Sequence, residues 1–209
     1  MTRIESRVRR GRGRRPAAEV REQILDAAGQ LLLEDGMASF TIERVAAKAG
    51  ASRMTIYKWW PSRGALALDG YFTAVRNTLE FPDTGDIEAD LTAQIRAFAH
   101  LLRETNAGRV LAEIIGAAQT DPELATALRE HYSLPRRQLA VDGINRAMER
   151  GQLRNDIDPT VVVDQLWGAC YHRLLLFHEP ITDDLARAVV HNLMVGLRPQ
   201  ASSGCLASA

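Results

Sequence analysis

Apolar residues along this chain recur with the spacing of helix faces and almost nowhere with the alternation of strands. Val20, Ile24, Ala27, Ala28, Leu31 and Leu32 follow i, i+4, i+7 spacing, and Gly36 supplies a stop, so a first helix is predicted there. Thr41 reads as the N-cap of a short second helix ending near Lys48, with Glu43 favourably placed in its first turn. A tight turn at Gly50, a capping Ser52 and another short helix then make a helix-turn-helix arrangement. Pro61 stops that third helix, and Ser62 caps a fourth that is expected to run to about residue 80.

"FPDTGD", residues 81–86, is the clearest linker-like stretch and sets the expected domain boundary. Beyond it, Leu91, Ile95, Phe98, Ala99 and Leu102 form another amphipathic face. "DPEL" at 121 and "DPTV" at 158 each place Asp at an N-cap and Pro at the first helical position. Pro135 falls inside the helical pattern that starts at Asp121, which predicts a kink or break nearby.

From Val161 to Phe177 apolar residues appear nearly all the way round, and Leu185, Val189, Leu193, Met194 and Leu197 make a further stripe after Thr182. A helix apolar on every side must be covered on every side. A two-fold dimer would supply that cover, with Val163, Leu166, Cys170, Leu174, Val189, Leu193 and Leu197 as its expected interface. A wholly internal central helix is the alternative. The predicted fold is thus all-α, with an N-terminal three-helix helix-turn-helix unit and a larger helical C-terminal unit. Its divisions are a flexible arm at 1–18, the helix-turn-helix unit with its connecting helix at 19–80, the larger helical unit expected to dimerise at 81–198, and a flexible tail at 199–209.

The third helix sorts into faces at about 100° per residue. Ile56 and Trp60 share the inward side; Met54 and Lys58 lie opposite, flanked by Arg53 and Tyr57 on one side and by Thr55 and Trp59 on the other. Arg and Lys on such a face can reach guanine edges in a major groove, while Thr, Tyr and indole N–H groups can donate to phosphates. Trp59 suits a phosphate contact, and it equally suits packing against the next helix. The N-terminus that follows Pro61, with Arg63 beside it, forms an anion site.

Charge sharpens this picture. The formal net charge is zero, yet residues 1–80 hold 14 Lys/Arg against 9 Asp/Glu, and residues 81–209 hold 12 against 17. One end suits a polyanion and the other does not. Seven arginines fall within the first fifteen residues, Arg12, Arg14 and Arg15 among them. Such a segment cannot bury enough apolar surface to fold alone. It is read either as an arm for phosphates or a minor groove, or as a solubilising tail. No apolar run has the length of a membrane span, and Cys170 and Cys205 make no disulfide framework, so a cytoplasmic protein is expected.

Residues 24–68, "ILDAAGQLLLEDGMASFTIERVAAKAGASRMTIYKWWPSRGALAL", resemble the DNA-binding domain of TetR-family transcriptional regulators. The shared features are a Thr-led second helix, Ala-Gly in the turn, a Tyr in the recognition helix and a Pro-Ser pair before the fourth. Trp59 stands where the family often has histidine or tyrosine, and Arg63 replaces a lysine while keeping its charge. The resemblance implies backbone contacts from Thr41, Thr55, Tyr57, Trp59 and Arg63, and base-edge contacts from Arg53, Met54, Tyr57 and Lys58. The stretch "DPELATALREHYSLPRRQLAVDGINRAMERGQLRNDIDP" resembles one subgroup more loosely. That likeness implies a helical domain that dimerises through its last two helices and encloses a pocket for a small hydrophobic inducer. Its lining would come from Phe98, Leu102, Ile114, Tyr132, Trp167 and Tyr171, residues that a plain helical core would also contain.

The resulting expectation is a homodimeric repressor that binds a double-stranded DNA operator and is released by an inducer. A regulator without an inducer, an activator and a sequence-neutral DNA-compacting protein are the alternatives. An enzyme is disfavoured. Cys170, His172 and His178 suggest a nucleophile or metal site, but positions i and i+2 lie on different helix faces and no carboxylate partner is evident. No phosphate-cradling glycine loop or Cys-x-x-Cys pair calls for a cofactor or metal.

Overall fold

The computed structural model of the chain describes residues 16–76, 81–177 and 179–198. The expected tail, residues 77–80 and the arm arginines Arg12, Arg14 and Arg15 lie outside them. Among the described residues the chain forms ten α-helices and no strand: α1 (Ala17–Asp35), α2 (Ile42–Ala49), α3 (Arg53–Tyr57), α4 (Arg63–Val75), α5 (Ile87–Glu104), α6 (Ala107–Ala118), α7 (Pro122–Leu128), α8 (Leu134–Glu149), α9 (Pro159–His172) and α10 (Asp183–Leu197). None is long and apolar enough to cross a membrane.

The caps read from the sequence hold the helix starts. Thr41 accepts from the Arg44 N–H at 3.2 Å, Ser52 from Thr55 at 3.0 Å and Ser62 from Ala65 at 3.1 Å. Asp121 and Asp158 accept from the first-turn N–H groups of α7 and α9, each ahead of its proline. Gly50, at φ 61° and ψ 36°, takes the left-handed conformation that turns α2 into α3. α1 starts at Ala17, inside the stretch expected to be flexible.

α1 and α4 cross closely enough to exclude side chains. A Cβ on Gly29 would lie 2.8 Å from both the Ala74 Cβ and the Gly70 carbonyl oxygen. α1, α2 and α3 pack around Ile24, Leu32, Phe40, Val45, Ile56 and Trp60, while α4 also touches α6 and α7. A second bond network joins the two halves: Asn106 donates from its side chain to the carbonyls of Leu33 at 3.1 Å and Glu34 at 2.8 Å.

Two expectations change in detail. The "FPDTGD" stretch is tied down, because Asp83 pairs with Arg146 and Arg150, Asp90 accepts from Thr84, and the Phe81 ring fills the space that Gly143 leaves open. The Pro135 disturbance takes the form of a π-helical turn at Arg129–Ser133, where Leu134 N–H donates to the carbonyl of Arg129. Proline lacks an N–H and crowds the carbonyl four residues back, and the wider winding just before it accommodates both. A second π-helical turn, Arg173–Phe177, follows α9.

Candidate nucleic-acid interface and adjoining cavity

α3 is a single capped turn and a half. The regular helix ends at Tyr57, earlier than Pro61 suggested, and Trp59 and Trp60 follow in a closing turn in which both their N–H groups donate to the Ile56 carbonyl. Ile56 is fully buried and Trp60 nearly so. Arg53, Met54, Tyr57 and Lys58 are all exposed, Met54 at 75%. The face predicted to meet base edges is therefore the face presented to solvent. An exposed methionine and tyrosine beside two cations form a surface able to touch a thymine methyl and hydrogen-bond a purine edge.

The predicted phosphate contacts flank that face. Thr41, the cap of α2, and Thr55, inside α3, are partly exposed, and Thr55 shares a hydroxyl hydrogen bond of 2.8 Å with its own cap Ser52. Arg63 is exposed at the start of α4, and one of its nitrogens donates to the Met37 carbonyl at 3.3 Å. Trp59 is half-buried, edge-on to Trp60 at 5.8 Å, so it combines packing with a partly open surface. Arg53 is steered by Glu43 of α2, 2.6 Å away. The Glu43 carboxyl is held below its ordinary range first by backbone N–H groups at the helix start and then by Arg53.

Behind α3 lies a polar junction that the periodicity did not reveal. Trp60 Nε1–H donates to Asp69 of α4 at 2.8 Å. Arg21 of α1 approaches the same carboxylate at 3.5 Å and stacks its guanidinium 5.3 Å from the Trp60 ring centre. His131, in the π-helical turn, lies 3.8 Å from the other oxygen of Asp69. Three segments thus converge on one carboxylate.

The C-terminal half encloses a cavity of about 460 Å³. Phe98, Tyr132, Trp167 and Tyr171 line it as predicted. Leu102 and Ile114 do not: Leu102 faces a neighbouring groove between α5 and α6, and Ile114 is sealed in the core, its neighbour Ile115 taking the wall. A one-residue step turns a helical side chain by about 100°, enough to exchange lining for core. Gln94, Arg136, Arg137 and Asp164 are polar wall residues that an apolar and aromatic pattern does not mark. Tyr132 stacks face to face on Phe72 of α4, ring centres 4.3 Å apart and planes within 8°.

Four of the seven expected dimer residues need correction. Val163, Leu166, Cys170 and Leu197 are buried inside their own chain and belong to its core, while Leu174, Val189 and Leu193 are half-buried. The outward apolar residues on the same elements are Val161, Leu176 and Val195, the last two 66% exposed. Periodicity marked both faces of these helices as apolar but could not say which one the chain itself covers. Cys170 is buried, and burial pushes its thiol up to about 12, opposed only in part by Arg173, while His172 is exposed. His178 lies outside the described residues.

Helix-turn-helix, connecting helix and cavity-bearing helical domain together define a one-component DNA-binding regulator. Residues 24–69 match the family described as "Bacterial regulatory proteins, tetR family", and residues 81–193 match "Tetracyclin repressor-like, C-terminal domain". The chain belongs to the TetR family of bacterial transcriptional regulators. It is 33% identical over 187 residues to the uncharacterized HTH-type transcriptional regulator YdeS of Bacillus subtilis, covering 90% of this chain and 94% of that one. It is 32% identical over 185 residues, 85% of this chain and 94% of the other, to a DNA-binding transcriptional repressor TetR of Mycobacteroides abscessus. The crystal structure of the TetR family transcription regulator SCO0332 aligns over 87% of this chain and all of its own, with TM-score 0.80 and 58% identity.

Proposed function

We propose that this regulator is a homodimeric repressor, acting in the cytoplasm, whose grip on a pseudo-palindromic operator is loosened by a small hydrophobic inducer. The observation that carries the reading is an unbroken path of contacts from cavity to recognition helix. Tyr132 lines the cavity and stacks on Phe72; Phe72 and Asp69 sit on α4; Asp69 holds Trp60 at the end of α3. A ligand that displaces Tyr132 tilts α4 and with it the recognition helix. The similarity to a named repressor supports the sign of the response.

Two α3 helices related by a two-fold axis would enter successive major grooves about 34–36 Å apart. Arg53, Met54, Tyr57 and Lys58 read base edges, while Thr41, Thr55, Tyr57, Trp59, Arg63 and the arm residues Arg12, Arg14 and Arg15 hold phosphates. A ligand that favours the wrong spacing weakens DNA binding, and DNA weakens ligand binding equally, by about 1–3 kcal/mol in typical cases.

Fluorescence anisotropy tests this directly, comparing DNA from upstream of the protein's own gene with a shuffled duplex. Two subunits per site and preference for the upstream DNA are expected. Replacing Tyr57 and Lys58 together with Ala should abolish that preference while the dimer persists. Equal binding to both duplexes and to random-selected DNA would replace this reading with sequence-neutral compaction.

A further inference from the structure

We infer that Glu43 is a specificity-determining positioning residue of the DNA interface: it holds Arg53 across the α2–α3 turn so that the guanidinium meets a guanine edge and is denied to phosphates. The inference rests on Arg53 reading bases.

Glu43 and Arg53 belong to different helices, ten positions apart, and join through one N–H···O bond of 2.6 Å from Nη1 to Oε1. Both side chains are more than half exposed, Arg53 at 63% and Glu43 at 60%. The cations of α2 are paired differently. Arg44 meets Asp35 at 2.6 Å and Lys48 meets Glu34 at 3.8 Å, both acids at the end of α1. Of these three pairs only Glu43–Arg53 reaches the recognition helix.

The bond commits half of the guanidinium. Arginine presents a fork of five donors, and a partner at Nη1 leaves the Nε–Nη2 edge for a bidentate contact. Guanine O6 and N7 match such an edge. A phosphate can use it too, but it brings a second negative charge beside Glu43, whereas a base edge carries no net charge. The carboxylate is ionised at neutral pH, since its own backbone N–H, Arg53 and the Thr41 side chain all favour the charged form. Repulsion between the two anions therefore penalises the sequence-neutral contact and spares the specific one. Tethering also removes rotamers that an exposed arginine would otherwise sample, so less freedom is lost on binding.

The test is a selection from random DNA by the full-length protein, followed by anisotropy titrations of the enriched duplex and its shuffled form over a range of salt. Wild type is expected to enrich guanine at one fixed position in each half-site. Glu43→Gln should lower that enrichment by about fivefold or more, the lower end of what a bidentate pair discriminates. It should also tighten binding to the shuffled duplex and steepen log K against log salt by about 1, as Arg53 takes a phosphate. Arg53→Ala should lose the guanine without steepening the slope, and adding Glu43→Gln to it should change neither reading. A purely structural Glu43 would instead weaken both duplexes together at unchanged slope, and that result overturns the inference. So does unchanged guanine enrichment in Glu43→Gln where Arg53→Ala has lost it. Guanine that survives Arg53→Ala, or a wild-type site that holds none, removes Arg53 from base reading, and the inference falls with that reading.

Discussion

Trp60, at the end of the helix-turn-helix, is hydrogen-bonded through its indole N–H to Asp69 in the middle of the connecting helix, at 2.8 Å. The ring is 2% exposed, so the N–H has no access to water in exchange. Asp69→Ala should cost about 1–3 kcal/mol in a urea titration, the usual penalty for stranding a buried donor. Operator affinity should fall as well, because Trp60 ends the recognition segment. An Asp69→Ala protein with unchanged stability would show that the bond contributes nothing.

Glycine to alanine within a helix normally adds about 0.5–1 kcal/mol. At Gly29 the sign should reverse, since the new Cβ would meet a backbone oxygen and the Ala74 Cβ at 2.8 Å and force α1 from α4. A loss of about 1–3 kcal/mol is expected. Gly116, whose Cβ would meet nothing within 4 Å, should show the ordinary gain. Thermal unfolding of the two variants side by side decides whether the crossing is as tight as described.

Association and folding should separate along the last two helices. Val195→Glu, on the exposed face of α10, should yield folded monomers in sedimentation velocity. Leu166→Ala, inside the core of the same region, should cost about 2–5 kcal/mol of stability without changing the assembly of the folded fraction. Monomers from Leu166→Ala and dimers from Val195→Glu would restore the interface first read from periodicity.

Cys170 should be inert in the folded protein. Its thiol lies near 9 in the unfolded chain and is pushed to about 12 by burial, so the folded state favours the protonated form. The sign follows: this contribution is intact below pH 9 and is lost as pH rises toward 12. In a Cys205→Ser background, iodoacetamide at pH 8 should modify Cys170 only in denaturant, and rapid native modification would contradict the burial.

Deleting residues 1–15, with their seven arginines, should flatten the dependence of log K on log salt by at least about 1 while leaving sequence preference unaltered. An unchanged slope in anisotropy titrations removes the arm from DNA binding.

Much of this architecture was legible because its signals are local. A cap such as Thr41, Ser52, Ser62, Asp121 or Asp158 bonds to N–H groups two or three residues onward, and a helical face repeats within a few turns. Angular spacing placed Arg53, Met54, Tyr57 and Lys58, with Thr55 and Trp59 beside them, away from Ile56 and Trp60, while the choice of those four and of the four residues that do line the cavity came from resemblance. What was missed joins distant segments. Asp69 receives Trp60, Arg21 and His131; Arg137 reaches across 27 positions to Asp164; Tyr132 stacks on Phe72.

The sequence by itself therefore determined an all-helical chain, the position of its helix-turn-helix and the side chains that α3 presents to solvent, since each depends on residues within a turn or two of one another. Only the tertiary structure decided which apolar face of α9 and α10 is spent inside the subunit, which polar groups enter the cavity, and how that cavity touches α4. Those outcomes depend on how helices cross, and helix crossing is set by the summed shape of many side chains brought together from far along the chain.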